Sequence, residues 1–343
     1  MLKTLITGSL PKPPWLSDPT VQLFAPWVVP AERLCEAQDD AVRLAIEDQE
    51  AAGLDIVTDG EQRRRHYIWG FVSGLTGIDT EHLGKKVTRG GRYTNRLTPV
   101  ARIVGDIARQ KQILVEGLQY AKTLTTRPIK VTLPGPMTIV DSLQDDFYGQ
   151  SESALAMRFA TMLNAEARDL AAAGAAVIQF DEPCFNIYLD KVAEWGITTL
   201  NRCIEGVTAT TAVHICYGYG VPAAMTWKSQ NKDWGQYATT LPLLAKSPVK
   251  QVSIECAGSG VDVSVVESIR GKDVLLGVID VGSNDVESPD LVAQRIRKAL
   301  PHVDPEHLYA TTDCGLVPRP RDVARGKMQA LAKGAAIVRE GLR

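Results

Sequence analysis

The chain has 343 residues, 45% of them hydrophobic and 23% charged, and its 38 basic and 40 acidic side chains leave a net charge of -2. That balance gives no electrostatic surplus to mark it for nucleic acid or an anionic membrane, so a small-molecule substrate is the expected partner. Its first residues, MLKTLITGSL, lack a secretory apolar core, and no apolar run reaches the roughly 18 residues of a membrane span, so a cytoplasmic protein is expected.

Short β-branched runs alternate with segments of helical period. In chain order the predicted strands are Lys3–Leu10, Ile56–Glu61, Ile129–Leu133, Ala176–Asp181, Ala212–Cys216, Gln251–Glu255, Val274–Asp280 and Leu308–Asp313. Amphipathic helices are predicted over Glu32–Ala52, Glu152–Ala173, Asp190–Glu205, Asp290–Leu300 and Pro320–Glu340. Eight strands with room for helices between them predict an α/β fold, one (β/α)8 TIM barrel over residues 1–343 with catalytic groups at the strand C-termini. An open doubly wound sheet ranks lower. No G-x-G-x-x-G follows the first strand, and polar residues cluster at the ends of nearly all the runs instead of at one switch point. The polar stretch near 78–97, containing HLGKKVTRGGRY, reads as a loop or hairpin over the active face.

The six cysteines are widely spaced in a chain too large to need a disulfide framework, so reduced thiols able to bind metal are expected. His214 and Cys216 stand two apart on one predicted strand, so both point to the same side. Cys314 and Glu255 sit near the ends of two other strands. One imidazole, two thiolates and one carboxylate make a set typical of catalytic zinc, Glu255 being the exchangeable member. Taken alone, an H-x-C pair reads more readily as buried core; the groups at the other strand ends reverse that. Cys256 competes with Glu255 for the fourth place, and strand alternation favours Glu255 only weakly.

Asp181, in Gln179-Phe-Asp-Glu-Pro183, ends the fourth strand, where Pro183 stops regular pairing and leaves a carboxylate at the mouth suited to an ammonium group. A helix-capping Asp is the plainer alternative. Glu61 follows Gly60 at the end of the second strand and is a further candidate for an amine. Ser9, in Thr7-Gly-Ser-Leu-Pro11, offers a hydroxyl and backbone N–H groups for a carboxylate, or else forms a simple turn. Asp280 orients His214 or caps a loop.

In this order the segments G-S at Gly8, G-E at Gly60, P-G-P at Pro134, Q-x-D-E-P at Gln179, H-x-C-Y at His214, S-I-E at Ser253, G-V-x-D at Gly277 and D-C-G-L at Asp313 resemble the catalytic barrel of cobalamin-independent methionine synthases. The same barrel type occurs in uroporphyrinogen decarboxylases. The resemblance implies zinc on His214, Cys216, Glu255 and Cys314, homocysteine held by Ser9, Glu61 and Asp181, and catalytic roles for Asp181 and His214. It further implies a short, core-type member starting at the catalytic barrel. The methyl donor is then a methylated corrinoid or methyltetrahydrofolate, with an accessory protein in some members. The alternative within the resemblance is a zinc-dependent alkyltransferase for another thiol, such as coenzyme M.

Overall fold

The computed structural model describes residues 1–18, 21 and 25–342. Ten strands occur among them: β1 Lys3–Thr4, β2 Ile78–Lys86, β3 Thr98–Ile103, β4 Lys130–Pro134, β5 Leu143–Asp145, β6 Val177–Asp181, β7 Thr210–Ile215, β8 Gln251–Ile254, β9 Asp273–Ile279 and β10 Leu308–Thr312. The parallel sheet runs β1-β10-β9-β8-β7-β6-β4. Parallel neighbours need helical crossovers, and the helices between these strands supply them.

The remaining gap between β1 and β4 is spanned by the segment 55–58. Ile56 N donates to Thr4 O at 3.1 Å, Val57 forms a parallel bridge with Ile129, and Lys130 N donates to Val57 O at 2.8 Å. The ring is thus a TIM barrel. The first two predicted strands keep regular pairing over less of their length than the sequence suggested. Their C-terminal parts bend across the mouth, where Leu10 N meets Gly60 O at 3.0 Å and both Gly60 (φ 64°) and Glu61 (φ 56°) are left-handed.

Helix Leu34–Ala52 closes at Gly53, whose φ of 89° lets its N–H turn back to the Gln49 and Glu50 carbonyls. The helix predicted over Asp190–Glu205 runs as Leu189–Lys191, a π turn Val192–Gly196 and Ile197–Ile204. The polar stretch is a hairpin: β2 pairs antiparallel with β3, which is parallel to β5. Its tip is pinned to the C-terminal face of the barrel. Arg89 pairs with the Asp141 carboxylate and donates to Tyr67 Oη at 3.0 Å, while Tyr93 Oη donates to Tyr217 O at 2.5 Å. Among the described residues no helix is long and apolar enough to cross a membrane.

Candidate metal and amino-acid site

Period-two alternation on β7 aims His214 and Cys216 together, and Cys314 arrives just past β10. The ligand atoms of these three residues lie within 4.8 Å of one another, and the two sulfurs are 3.9 Å apart. His214 is buried, with Nδ1 2.9 Å from Ser253 Oγ on the adjacent β8. Its Nε2 is buried with no hydrogen-bond partner among the described residues. A buried nitrogen left orphaned is costly in a folded protein. Two cysteine sulfurs beside it complete a donor group that a tetrahedral cation satisfies, so these residues fit a soft divalent metal.

The electrostatics agree. The hydrogen bond between the sulfurs holds the Cys216 thiol well below its ordinary range against the opposing effect of burial, and the same bond holds Cys314 above it. Burial disfavours the His214 imidazolium, but the Cys216 sulfur and the Asp181 carboxylate together outweigh it and raise the pKa. A cation replacing those protons relieves the competition for them.

Glu255 is fully buried next to this group without belonging to it. Its carboxylate forms an ion pair with Lys228 and accepts from Tyr217 N at 2.9 Å and from Tyr219 Oη at 3.0 Å. Burial nonetheless pushes its pKa up to about 8. Cys256 stays outside the group too, and its amide donates to Asp313 Oδ1 at 3.0 Å. Asp313 also accepts from Ala257 N at 3.0 Å and Gly258 N at 2.6 Å, which fixes the loop after β8 against the residue preceding Cys314. Asp280 caps its own loop, with Oδ1 accepting from Gly282 N at 2.7 Å; the partner of His214 Nδ1 is Ser253.

The amino-acid candidates surround the same point. Asp181 and His214 are register partners on β6 and β7. Asp181 is buried and accepts from Gln179 Nε2 at 2.7 Å; burial pushes its carboxyl up to about 7. Glu61, in its left-handed backbone conformation, accepts from Thr132 Oγ1 at 2.8 Å. Such a conformation in a non-glycine residue is a strain that concentrates at functional sites. Ser9 Oγ packs on Gly315, beside Cys314, where a side chain would collide with it. Thr58 Oγ1 donates to Gly8 O at 2.7 Å, so the Ser9 and Glu61 segments are tied together.

Sequence reasoning left two neighbours of the site, Lys228 and Glu182, without a role. Lys228 lies in a helix, Pro222–Gln230, that carried no motif, and nothing in the sequence pairs it with Glu255. Glu182, beside Asp181, was visible as the second carboxylate of D-E-P. It turns away from the mouth, accepting from Met137 N at 2.9 Å, Thr138 N at 3.0 Å and Thr138 Oγ1 at 2.8 Å, and so holds the P-G-P turn. Burial raises its carboxyl to about 7.

Comparison with known proteins adds an independent line. Residues 8–336 match the family model for the cobalamin-independent synthase catalytic domain. The chain is 31% identical over 344 aligned residues to a methionine synthase of Sulfurisphaera tokodaii, covering 100% of this chain and 94% of that protein. A methionine synthase of Saccharolobus solfataricus is 30% identical, with coverage of 100% and 96%. Among solved structures, a B12-independent methionine synthase from Shewanella sp. W3-18-1, in complex with selenomethionine, superposes with a TM-score of 0.95 at 45% identity, covering 100% of this chain and 99% of that one. A putative vitamin-B12 independent methionine synthase from Listeria monocytogenes shares the fold at a TM-score of 0.69 and 17% identity, over 98% and 99% of the two chains.

Proposed function

The chain belongs to the cobalamin-independent methionine synthase family, a family of methyltransferases, and on that premise we propose that it methylates the sulfur of homocysteine to give methionine. One observation carries the reading. The metal-ready group of His214, Cys216 and Cys314 stands beside Asp181, Glu61 and Ser9, so one small molecule bearing both a thiol and an amino acid can meet both sets. The selenomethionine bound by the Shewanella relative, an analogue of the product, supports an amino-acid occupant.

Zinc is the cation we assign, held by His214, Cys216 and Cys314, with Glu255 as the fourth and exchangeable ligand in place of its bond to Lys228. Bound there, zinc supplies the Lewis acidity that keeps a substrate thiol deprotonated at neutral pH. The protein's own side chains do the rest. Asp181 and Glu61 hold the ammonium group of homocysteine, and Ser9 with its neighbouring amides holds the carboxylate. Ser253 fixes the His214 ring through Nδ1, leaving Nε2 as the free donor. With the amino acid clamped at one end, the sulfur faces the donor in one orientation, and the S–CH3 bond forms as the bond from methyl to donor breaks. A methyltetrahydrofolate-type donor suits the family better than a corrinoid. Ligand thiols of this kind need a reducing compartment, and we place the enzyme in the cytoplasm. A sulfonate thiol such as coenzyme M is disfavoured, because Asp181 and Glu61 present two acids to it.

The test is metal analysis combined with a homocysteine methylation assay, run in parallel with methyltetrahydrofolate and methylcobalamin. About one zinc per chain and methionine from either donor are expected, and the productive donor names the class. Zinc with no methionine from either donor would point to an accessory protein or another thiol. A protein that binds no zinc would overturn the site.

A further inference from the structure

Lys130 is 1% exposed on β4, inside the barrel, and no carboxylate forms an ion pair with it among the described residues. An amine buried with no carboxylate in direct contact is expensive, and burial pushes its pKa down to about 7 against the opposing charges of Asp181 and Glu61. Its two contacts explain why the position is occupied by lysine. Nζ donates to Ile6 O at 2.6 Å and to Gln179 Oε1 at 2.9 Å. Gln179 Nε2 in turn donates to Thr7 O at 3.0 Å and to Asp181 Oδ1 at 2.7 Å.

The chemistry of this chain of bonds is directional. A glutamine amide has an accepting end and a donating end, and a protonated lysine only donates. Lys130 therefore holds Oε1 of Gln179 toward itself and aims the amide NH2 at Asp181. A flipped amide would set NH2 against the ammonium and oxygen against the carboxylate, two losses at once. The same ammonium grips Ile6 O, and the second amide hydrogen grips Thr7 O, two residues before Ser9. One buried side chain thus anchors Gln179 between the first strand and β6, with the donating end of its amide on Asp181.

We propose that Lys130 is a positioning residue for the amino-acid substrate, acting through Gln179 to hold Asp181 on the substrate's ammonium group. This rests on the reading of Asp181 as the ammonium partner. Lys130 touches no reacting atom; it sets how well homocysteine is gripped.

The experiment compares homocysteine with 4-mercaptobutyrate, which keeps thiol and carboxylate but lacks the ammonium, as methyl acceptors for the zinc-loaded enzyme. Lys130→Met should raise KM for homocysteine about tenfold, the worth of one hydrogen bond to a charged group, with kcat nearly unchanged. Turnover of 4-mercaptobutyrate should not change. Gln179→Leu should do the same, and the double variant should be no worse than either single one, because both break one relay. Lys130→Gln, which keeps a donor, should restore part of the affinity and serves if Lys130→Met fails to fold. Equal losses on both thiols, or additive losses in the double variant, would show a merely structural lysine and overturn the proposal. Asp181→Asn separates the two layers. If it raises KM for homocysteine while Lys130→Met and Lys130→Gln do not, the relay is wrong; if it leaves KM unchanged, the reading of Asp181 itself falls.

Discussion

The Lys228 ammonium and the Glu255 carboxylate form an ion pair in which both side chains are almost fully buried, 4% and 0% exposed, at the edge of the three-residue ligand group. The pair occupies the carboxylate proposed to complete that group. Removing one partner of a buried pair leaves an uncompensated charge, which costs about 3–5 kcal/mol. Lys228→Met should destabilise the metal-free protein by about that amount in urea titration. It should also slow the loss of zinc to a chelator, since Glu255 no longer has a competing cation. Unchanged chelator kinetics would count against Glu255 as the fourth ligand.

Ser253 offers a cleaner probe of the metal. Its Oγ, 2.9 Å from His214 Nδ1, holds the ring from the side away from the metal group and fixes which nitrogen faces the sulfurs. Loss of such an orienting contact typically costs about 10–100-fold in metal affinity or activity. Ser253→Ala should show that loss in a competitive zinc titration while thermal unfolding of the metal-free protein changes little.

The pH dependence follows from Asp181, whose carboxyl burial raises to about 7. The group is neutral below that pH in the free enzyme and charged above it, and only the charged form attracts an ammonium group. KM for homocysteine should therefore rise as pH falls through 7, approaching about tenfold per unit for a single proton, while 4-mercaptobutyrate shows no such limb. Stability runs the other way. A carboxyl with a raised pKa favours the folded state most at low pH and loses that contribution as pH climbs through 7, so Asp181→Asn should stabilise the metal-free protein more at pH 8 than at pH 5. A KM profile flat across pH 6 to 8 would rule out Asp181 as the ammonium partner.

Gly8 is constrained by close approach. A methyl group there would lie 2.8 Å from Thr132 Cγ2 and 2.9 Å from Glu61 Oε1, both inside van der Waals contact. Gly8→Ala must push the Glu61 carboxylate aside. A displacement of about 1 Å at a substrate-holding group can cost about 10²-fold, so kcat/KM for homocysteine should fall by that order with zinc content unchanged. Wild-type kinetics in this variant would remove Glu61 from the pocket.

Much of this architecture was legible in the residues. Period-two alternation around His214 and Cys216, the runs ending at Asp181 and Asp313, and the helical segment Leu34–Ala52 with Gly53 behind it are all local patterns, and local patterns survive folding. The shortening of the first two strands was not legible, because it depends on a hydrogen bond between Leu10 and Gly60, fifty residues apart. The pairing of Lys228 with Glu255 and the turning of Glu182 toward Met137 and Thr138 were hidden for the same reason.

The sequence by itself determined the barrel and the kinds of groups at its mouth, since strand period, chain length and residue chemistry are properties of the chain. Only the tertiary structure decided which of those groups meet. It brought His214, Cys216 and Cys314 together, kept Glu255 on Lys228, and ran a relay from Lys130 to Asp181 through Gln179. The physical reason is that burial and partner choice are settled by packing between strands far apart in sequence, and a side chain's charge, orientation and reactivity follow from what packs against it.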